Sequence, residues 1–377
     1  MKGYQLKQKL LAASLSTLVV GVAHAQTSVT LYGIADGDLR IDHTSIGTLK
    51  SVGSGGESGS RWGIRGTEDL GGGVRAMFIF EQGIDLSDNS SPQGNVGGVT
   101  PNSPVSSSGS RLFSRTAVVG IGSTAAGELR LGRAYTPFYI SWNSIDPMAG
   151  GLVGMAQNYA VGNVTRYDNG IYYDSPKIYG LQLTGAYRLG ESSTNTVASG
   201  STKNGGNSGN VSLTYAAGPV LASYSYISTK NSLDSNTTRS QFAGAVYDFK
   251  VVKLHGLYFN TRNDTTTRLR SYGLGVTVPI NSFNVFAQVA RIDNRYNTNN
   301  STLYKDDSIF FGVGANYSFS KRTDIYTSWG KFKNKNNAVY VLMDSSNTGL
   351  FTTTGALANV TPGFDPYSAQ VGIRHRF

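Results

Sequence analysis

The ionisable residues of this chain fall on alternating positions, and that spacing limits the chemistry they can do. In "VTLYGIADGDLRI" (29–41), Asp36, Asp38 and Arg40 share one face, while Leu31, Gly33, Ala35, Leu39 and Ile41 share the other. "VRAMFIFEQGI" (74–84) sets Arg75 and Glu81 against Ala76, Phe78 and Phe80. "RYDNGIYYDS" (166–175) sets Arg166, Asp168 and Asp174 against Tyr167, Ile171 and Tyr173. Charges of both signs on one face of a strand can hold water and set a field across it. Rings of such charge sort ions by sign, and low-dielectric walls concentrate their field. Nucleophilic chemistry has less support. Beyond residue 25 the histidines are His43, His255 and His375, with no recognisable partner motif and no G-x-S-x-G elbow. His375 falls on the apolar parity of its segment. Cysteine is absent and no histidine pair has zinc-ligand spacing, so no metal or cofactor is implied. The acids of "KDDS" (305–308) are weak ground for a calcium site.

The elements that carry these residues are strands. Lys2, Lys7 and Lys9 precede the apolar run "LLAASLSTLVVGVA", and "AHA" at 23–25 matches a cleavage site. Residues 1–25 are therefore expected to be a cleaved secretory signal peptide and 26–377 a single domain. Removing the leader leaves 30 basic and 23 acidic residues, a net charge of +7. Charged residues make up 15% of the chain, against ~25% in an ordinary soluble domain. With no disulfide available, an exported chain of this kind must be held by its sheet, by its core or by lipid.

After residue 25, alternating segments recur between two kinds of connection. Short ones are "EDLGGG" (68–73), "STAAG" (123–127), "SPKIYG" (175–180), "YAAGP" (215–219), "FKVVK" (249–253), "PINS" (279–282) and "SKRTD" (320–324). Long ones, mostly rich in Ser, Asn and Gly, cover about 43–60, 86–110, 135–165, 190–209, 229–238, 262–268, 294–307 and 333–365. The two kinds take turns. Seven short and eight long connections join sixteen strands in an up-and-down meander, with one end of the sheet tightly turned and the other elaborated. The outward faces are thin and rich in Gly and Ala, which suits lipid or a neighbouring subunit better than a dense interior. Lipid requires every backbone polar group to be paired, so the sheet must close. The expected fold is all-β: a sixteen-stranded antiparallel transmembrane β-barrel. The alternating segment 368–377 reads as its closing strand, with Phe377 on the outward side in an aromatic girdle. The low-complexity stretches "SVGSGGESGSR" and "STNTVASGSTKNGGNSGN" read as flexible loop crowns.

Several of these segments carry a family pattern. "TSVTLYGIADGDLR", "SRWGIRGTEDLGGGVRAMFIFEQG", "SRTAVVGIGSTAAGELRLGRAYTP", "RYDNGIYYDSP" and "VGIRHRF" together resemble general porins of the β-proteobacterial and neisserial type. The resemblance implies an outer-membrane homotrimer of sixteen-stranded barrels. It implies passive diffusion of small hydrophilic solutes, with the third long loop folded into the lumen. It also implies contact with outer-membrane lipid and lipopolysaccharide, and recognition of the C-terminal strand by the barrel-assembly machinery. Arginines on wall strands 1, 3 and 5 would then form a basic ladder at the constriction. Here these are Arg40, Arg75 and Arg133, with Arg130 and Arg133 competing for the inward side of one short strand. Further lumen candidates are Arg61, Arg115, Arg166, Arg374, Asp36, Asp38 and Glu81. The third long connection, "YTPFYISWNSIDPMAGGLVGMAQNYAVGN", is apolar where the others are polar, as a loop packed on an inner wall would be, and it holds one acid, Asp146. This shortage of loop acids, with the net charge of +7, points to a preference for small anions. An adhesin or surface receptor is the alternative, and a barrel hydrolase a remoter one. Nucleic-acid binding is not expected, because the basic residues are dispersed.

Overall fold

The computed structural model describes residues 28–87, 112–160, 164–190, 204–231, 233–264, 267–298, 302–342 and 361–377. The expected leader and the tips of several long connections lie outside the described residues. The strands in chain order are β1 (Ser28–Thr44), β2 (Gly47–Ser54), β3 (Arg61–Gly71), β4 (Val74–Gly83), β5 (Thr116–Ser123), β6 (Gly127–Tyr135), β7 (Arg166–Asp174), β8 (Leu181–Arg188) and β9 (Ser208–Ala217). They continue as β10 (Val220–Lys230), β11 (Thr237–Asp248), β12 (Lys253–Asn263), β13 (Thr267–Ile280), β14 (Phe283–Thr298), β15 (Thr302–Lys305), β16 (Ser308–Ser318), β17 (Thr323–Asn334) and β18 (Tyr367–Arg376). One helix, α1 (Pro137–Ile145), follows β6. Neighbouring staves pair antiparallel in chain order, and β18 returns to β1 from Ile34↔Arg376 to His43↔Tyr367, so the sheet is closed. β2 and β3 lie end to end along β1, and β15 and β16 end to end along β14. The cylinder therefore has sixteen staves.

Side-chain alternation explains why the sheet closes. In β1, Val29, Leu31, Leu39 and Ile41 are exposed, and the intervening Asp36, Asp38 and Arg40 are buried. In β9, Val211 and Leu213 are exposed while Ser208, Asn210 and Ser212 are buried. A soluble sandwich does the reverse. Apolar outside and polar inside suits a cylinder whose solvent is lipid on one face and water on the other. Among the described residues no helix is long and apolar enough to cross a membrane, so any crossing is made by the strands. Tight turns sit where the short connections are. The turn from β3 to β4 uses Gly71, Gly72 and Gly73 at φ of 82°, 62° and 76°, a region that side chains other than glycine enter at a cost. At the seam, the Phe377 N–H donates to the Gly33 carbonyl and Gly33 returns the bond, both at 3.1 Å. The Phe377 ring lies on the bare face of Gly33, where a Cβ would strike it.

The first long connection differs from its expected form. Residues 47–54 are not a loop crown, because they form β2 and extend the stave formed with β3. Opposite Ala35 and Asp36 of β1 stand six residues, 55–60, between Gly37↔Ser54 and Ile34↔Arg61. The four surplus residues are an even number, so the alternation resumes unflipped in β3. The surplus turns inward, as its contacts below show. Composition alone could not reveal this, since Ser and Gly serve an exposed crown and a tight inward turn equally well.

Candidate functional site

Residues 137–160 pack on the inner face of the wall. Thr136 caps α1 by accepting from the Tyr139 N–H at 3.1 Å, and Pro137 opens the helix. The Phe138 N–H donates to Asn210 Oδ1 at 2.7 Å, and His255 Nδ1 donates to the Ile145 carbonyl at 2.6 Å. Farther on, the Ser271 hydroxyl donates to the Tyr159 carbonyl at 2.7 Å, and the Val153 N–H donates to Ser328 Oγ at 3.2 Å. Each wall partner belongs to the parity opposite the exposed apolar residues. Phe138, Trp142, Ile145 and Tyr159 join Phe242, Phe259, Phe310 and Phe332 in one buried cluster. Gly154 meets Gly312 so closely that a Cβ on Gly312 would lie 2.5 Å from the Gly154 carbonyl oxygen. The segment thus follows the wall from β9 to β17.

Asp146 does not present a charge to solvent. Its carboxylate accepts N–H bonds from Met148 (3.2 Å), Gly150 (3.0 Å) and Ala156 (2.9 Å), and one from Gln288 Nε2 at 3.3 Å. Burial pushes its pKa up to about 6, opposed by those same bonds. Asp146 folds the loop upon itself, so the loop's one acid is used internally.

The charged wall divides into three groups. The first surrounds Glu81. Arg115 Nε donates to Glu81 Oε1 at 2.7 Å, Arg61 Nε lies 3.6 Å from Oε2, and the Tyr32 hydroxyl donates to Oε2 at 3.1 Å. Arg115 Nη2 also donates to the Tyr135 hydroxyl at 2.6 Å, and the Arg166 guanidinium lies 3.9 Å over the Tyr135 ring. Tyr135 stacks on Tyr139 of α1, with centroids 4.7 Å apart. Three guanidiniums therefore share one carboxylate and a tyrosine pair. Burial pushes the Tyr139 phenol upward, which keeps it neutral.

The second group lies on β1, β17, β18 and the inward turn. Asp36 accepts from the N–H groups of Glu57 (3.1 Å) and Ser58 (2.6 Å) and from the Tyr326 hydroxyl. Arg374 binds Asp324 at 2.9 Å, Glu57 at 3.0 Å and Ser58 Oγ at 2.7 Å. Burial pushes Glu57 up to about 7, with Arg374 pulling the other way. The Leu152 N–H donates to the Gly56 carbonyl at 2.6 Å, so the turn and the loop are tied together. Arg40 is buried, bonded to Asp42 at 2.8 Å and, more weakly, to the Leu342 carbonyl at 3.5 Å. Asp38 is buried over Gly53 and Gly56, each too close to its carboxylate to carry a side chain.

The third group lies near the short turns. Arg75 Nη2 donates to Glu128 at 2.8 Å, and Arg130 binds Glu128 and Asp174. Both arginines line a cavity of about 610 Å³ that runs beside Tyr135, Ser141 and Gln182. Arg133 does not line it. It stands opposite Ala117, on the parity of the exposed Leu129 and Leu131, and pairs with Asp168. The register shift belongs to β7, where Asp168 and Asn169 (φ 50°) together face Arg133. The expected ladder of Arg40, Arg75 and Arg133 is thus dispersed over three environments, while Arg61, Arg115 and Arg166 gather. The missed members are Tyr135, Tyr139 and Glu57, while Arg130, the alternative to Arg133, is the one of that pair that lines the cavity. The Thr-Pro pair at 136–137 signals a helix start, which would have turned Tyr139 toward Tyr135.

A closed sixteen-stave cylinder, apolar outside and charged around an inner cavity, defines a pore-forming barrel of the outer membrane. The chain belongs to the Gram-negative porin family, whose model matches residues 11–337. It is 31% identical to outer membrane porin protein 32 of Delftia acidovorans over the full length of both chains. It is 28% identical to an outer-membrane porin of Bordetella pertussis, covering 99% of this chain and all of that one. Among solved structures it is similar to the anion-selective porin from Comamonas acidovorans, with a TM-score of 0.75, 27% identity, and coverage of 93% of this chain and 100% of that one. The chain is an outer-membrane β-barrel porin of a Gram-negative bacterium.

Proposed function

We propose that this porin is a passive diffusion channel for ions and small hydrophilic solutes that prefers anions, narrowed by residues 137–160. The observation that carries this reading is the group around Glu81. Arg61, Arg115 and Arg166 outnumber its carboxylate, and Asp146, the acid that could have opposed them from the loop, is bound to backbone. The relative from Comamonas is itself described as anion-selective. The assembly in this reading is a homotrimer, supported by the small outward residues Ala35 and Gly37 of β1. Outer-membrane lipid surrounds it, and the barrel-assembly machinery recognises β18. The channel works without catalysis. His255 is bonded to Ile145 and Thr277, and His43 stacks on Tyr367, which gives each a structural role.

Planar-bilayer recording in a salt gradient tests the proposal. The reversal potential is expected to have the sign of anion preference, and replacing Arg115 and Arg166 with alanine is expected to move it toward cations. A cation-selective wild-type channel, or a double variant with an unchanged potential, rules the reading out.

A further inference from the structure

The cavity beside α1 is lined by charges that cancel. Glu128 accepts from Arg75 Nη2 at 2.8 Å through Oε2 and faces Arg130 Nε at 3.1 Å through Oε1, and Arg130 in turn binds Asp174. The row reads plus, minus, plus, minus, so its net field on a passing ion is small. Bare backbone lies beneath both arginines. A Cβ on Gly120 would lie 2.8 Å from Arg130 Cγ, and one on Gly122 would lie 3.2 Å from Arg75 Cζ. The β5 glycines therefore let the two side chains lie against the wall. Tyr172 flanks the row, with the Arg130 guanidinium 5.7 Å from its ring centroid. Donors and acceptors are thus held at fixed spacing, which sorting ions by sign does not require.

The rest of the lining is uncharged for the most part. Pro137, Ile140, Ser141 and Ser144 follow one stripe of α1 at helical spacing and face the cavity, while Phe138, Trp142 and Ile145 are buried in the wall cluster. Gln182 and Thr214 come from β8 and β9. Gln182 Nε2 donates to the Ser175 carbonyl at 3.1 Å, which orients the amide, and Thr214 Oγ1 shares a hydrogen bond with Ser223 Oγ at 3.0 Å. Ile140, Ala216 and Leu221 add an apolar patch. Pro176 and Gly180 of the β7–β8 turn also line the space, so a solute that has passed α1 meets it on the side of the short turns. Its volume of about 610 Å³ falls within the ~300–1,000 Å³ of small-molecule sites.

We propose that this cavity is a binding subsite for a neutral polyhydroxylated solute, a mono- or disaccharide. A hydroxyl both donates and accepts, whereas a carboxylate only accepts and a guanidinium only donates. A paired row therefore satisfies neighbouring hydroxyls in both senses. A solute carrying a carboxylate that reaches Arg75 or Arg130 also meets Glu128 or Asp174 beside it. The apolar patch suits the C–H face of a sugar ring. The inference rests on the channel reading: the group around Glu81 sorts by charge, and this cavity sorts by hydrogen bonding. The test adds sucrose to the purified channel in planar bilayers, with succinate and a polyethylene glycol of similar size as comparisons. Sucrose is expected to block the ion current of wild type saturably, at a half-blocking concentration at least about tenfold below that of succinate. Glu128→Gln should raise that concentration about tenfold, and Gln182→Leu, which changes no charge, about fivefold. Block by sucrose no greater than by the polyethylene glycol overturns the proposal. So does tighter block by succinate, because the row would then serve anions, and so does either variant if it forms channels that sucrose blocks as it does wild type. A wild type without channel activity would overturn the channel reading instead, and calorimetric titration of sucrose into the same protein would still read the subsite.

Discussion

Two sectors of the inner wall carry comparable charge and use it differently. On β1, β17 and β18, Asp36, Asp38, Arg40, Asp42 and Asp324 are all under 10% exposed. They are covered by the turn at 55–60 and by the segment around Leu342. On β3 to β7, the side chains of Arg61, Arg130 and Arg75 remain 23%, 17% and 42% exposed while Arg115 is covered, and Arg61, Arg115 and Arg166 gather about the single carboxylate of Glu81 and its tyrosine pair. Inward parity therefore decides which residues are inside, but local charge balance decides which of them a solute can sense. A charge neutralised by a partner at hydrogen-bond distance has a short-range field and serves to hold the wall together. An excess of guanidinium over carboxylate acts on whatever passes.

The contrast can be broken or sharpened by substitution, beginning with the largest effect. Replacing Arg115 and Arg166 with alanine should lower the anion-over-cation permeability ratio about fivefold for each charge, from about 1 kcal/mol of ion–wall interaction apiece. Reversal potentials read this directly. Asp146→Ala should leave three backbone N–H groups without an acceptor, at about 1–3 kcal/mol each if they stay buried. The loop should loosen, and single-channel records should show larger, noisier conductance with little change in selectivity. Asp36→Asn, in the covered sector, should lower the temperature of thermal unfolding yet leave the reversal potential near that of wild type. A large selectivity shift from Asp36→Asn would dissolve the distinction between the sectors. Glu57 should give a smaller, pH-dependent effect. Its pKa is pushed up to about 7, so above that pH it is charged and offsets Arg374, and below it is neutral and leaves Arg374 facing Asp324. Anion preference should therefore rise as pH falls through about 7, and Glu57→Gln should fix the acidic value at every pH. Arg75→Gln should do least, less than about twofold, because Arg75 is half-exposed, screened and already paired with Glu128.

The strand meander was legible because it depends on period two and on connection length, both of which are local. Asp36, Asp38, Arg40, Arg75 and Glu81 were placed on the inner face for the same reason. Which of them share a site was not legible, because that depends on cover and register. In β6, Arg133 follows the parity of Leu129 and Leu131, so alternation separated it from Arg130 but could not say which of the two belonged to the lumen, and the β7 surplus at Asp168 and Asn169 that faces Arg133 has no signal in the spacing of β6. Arg115 and Arg166 lie at strand ends, where alternation no longer binds a side chain to one face. Asp146 looked like a lumen acid because sequence shows its charge but not the backbone N–H groups folded around it.

The turn at 55–60 departs from the ladder and returns in step, with Gly37↔Ser54 above it and Ile34↔Arg61 below. Those six positions can lengthen by pairs, shorten by pairs or exchange their charge while every hoop bond around them stays as it is. The width and polarity of the passage can therefore drift independently of the cylinder that surrounds it, through a short insert that assembly never has to re-register.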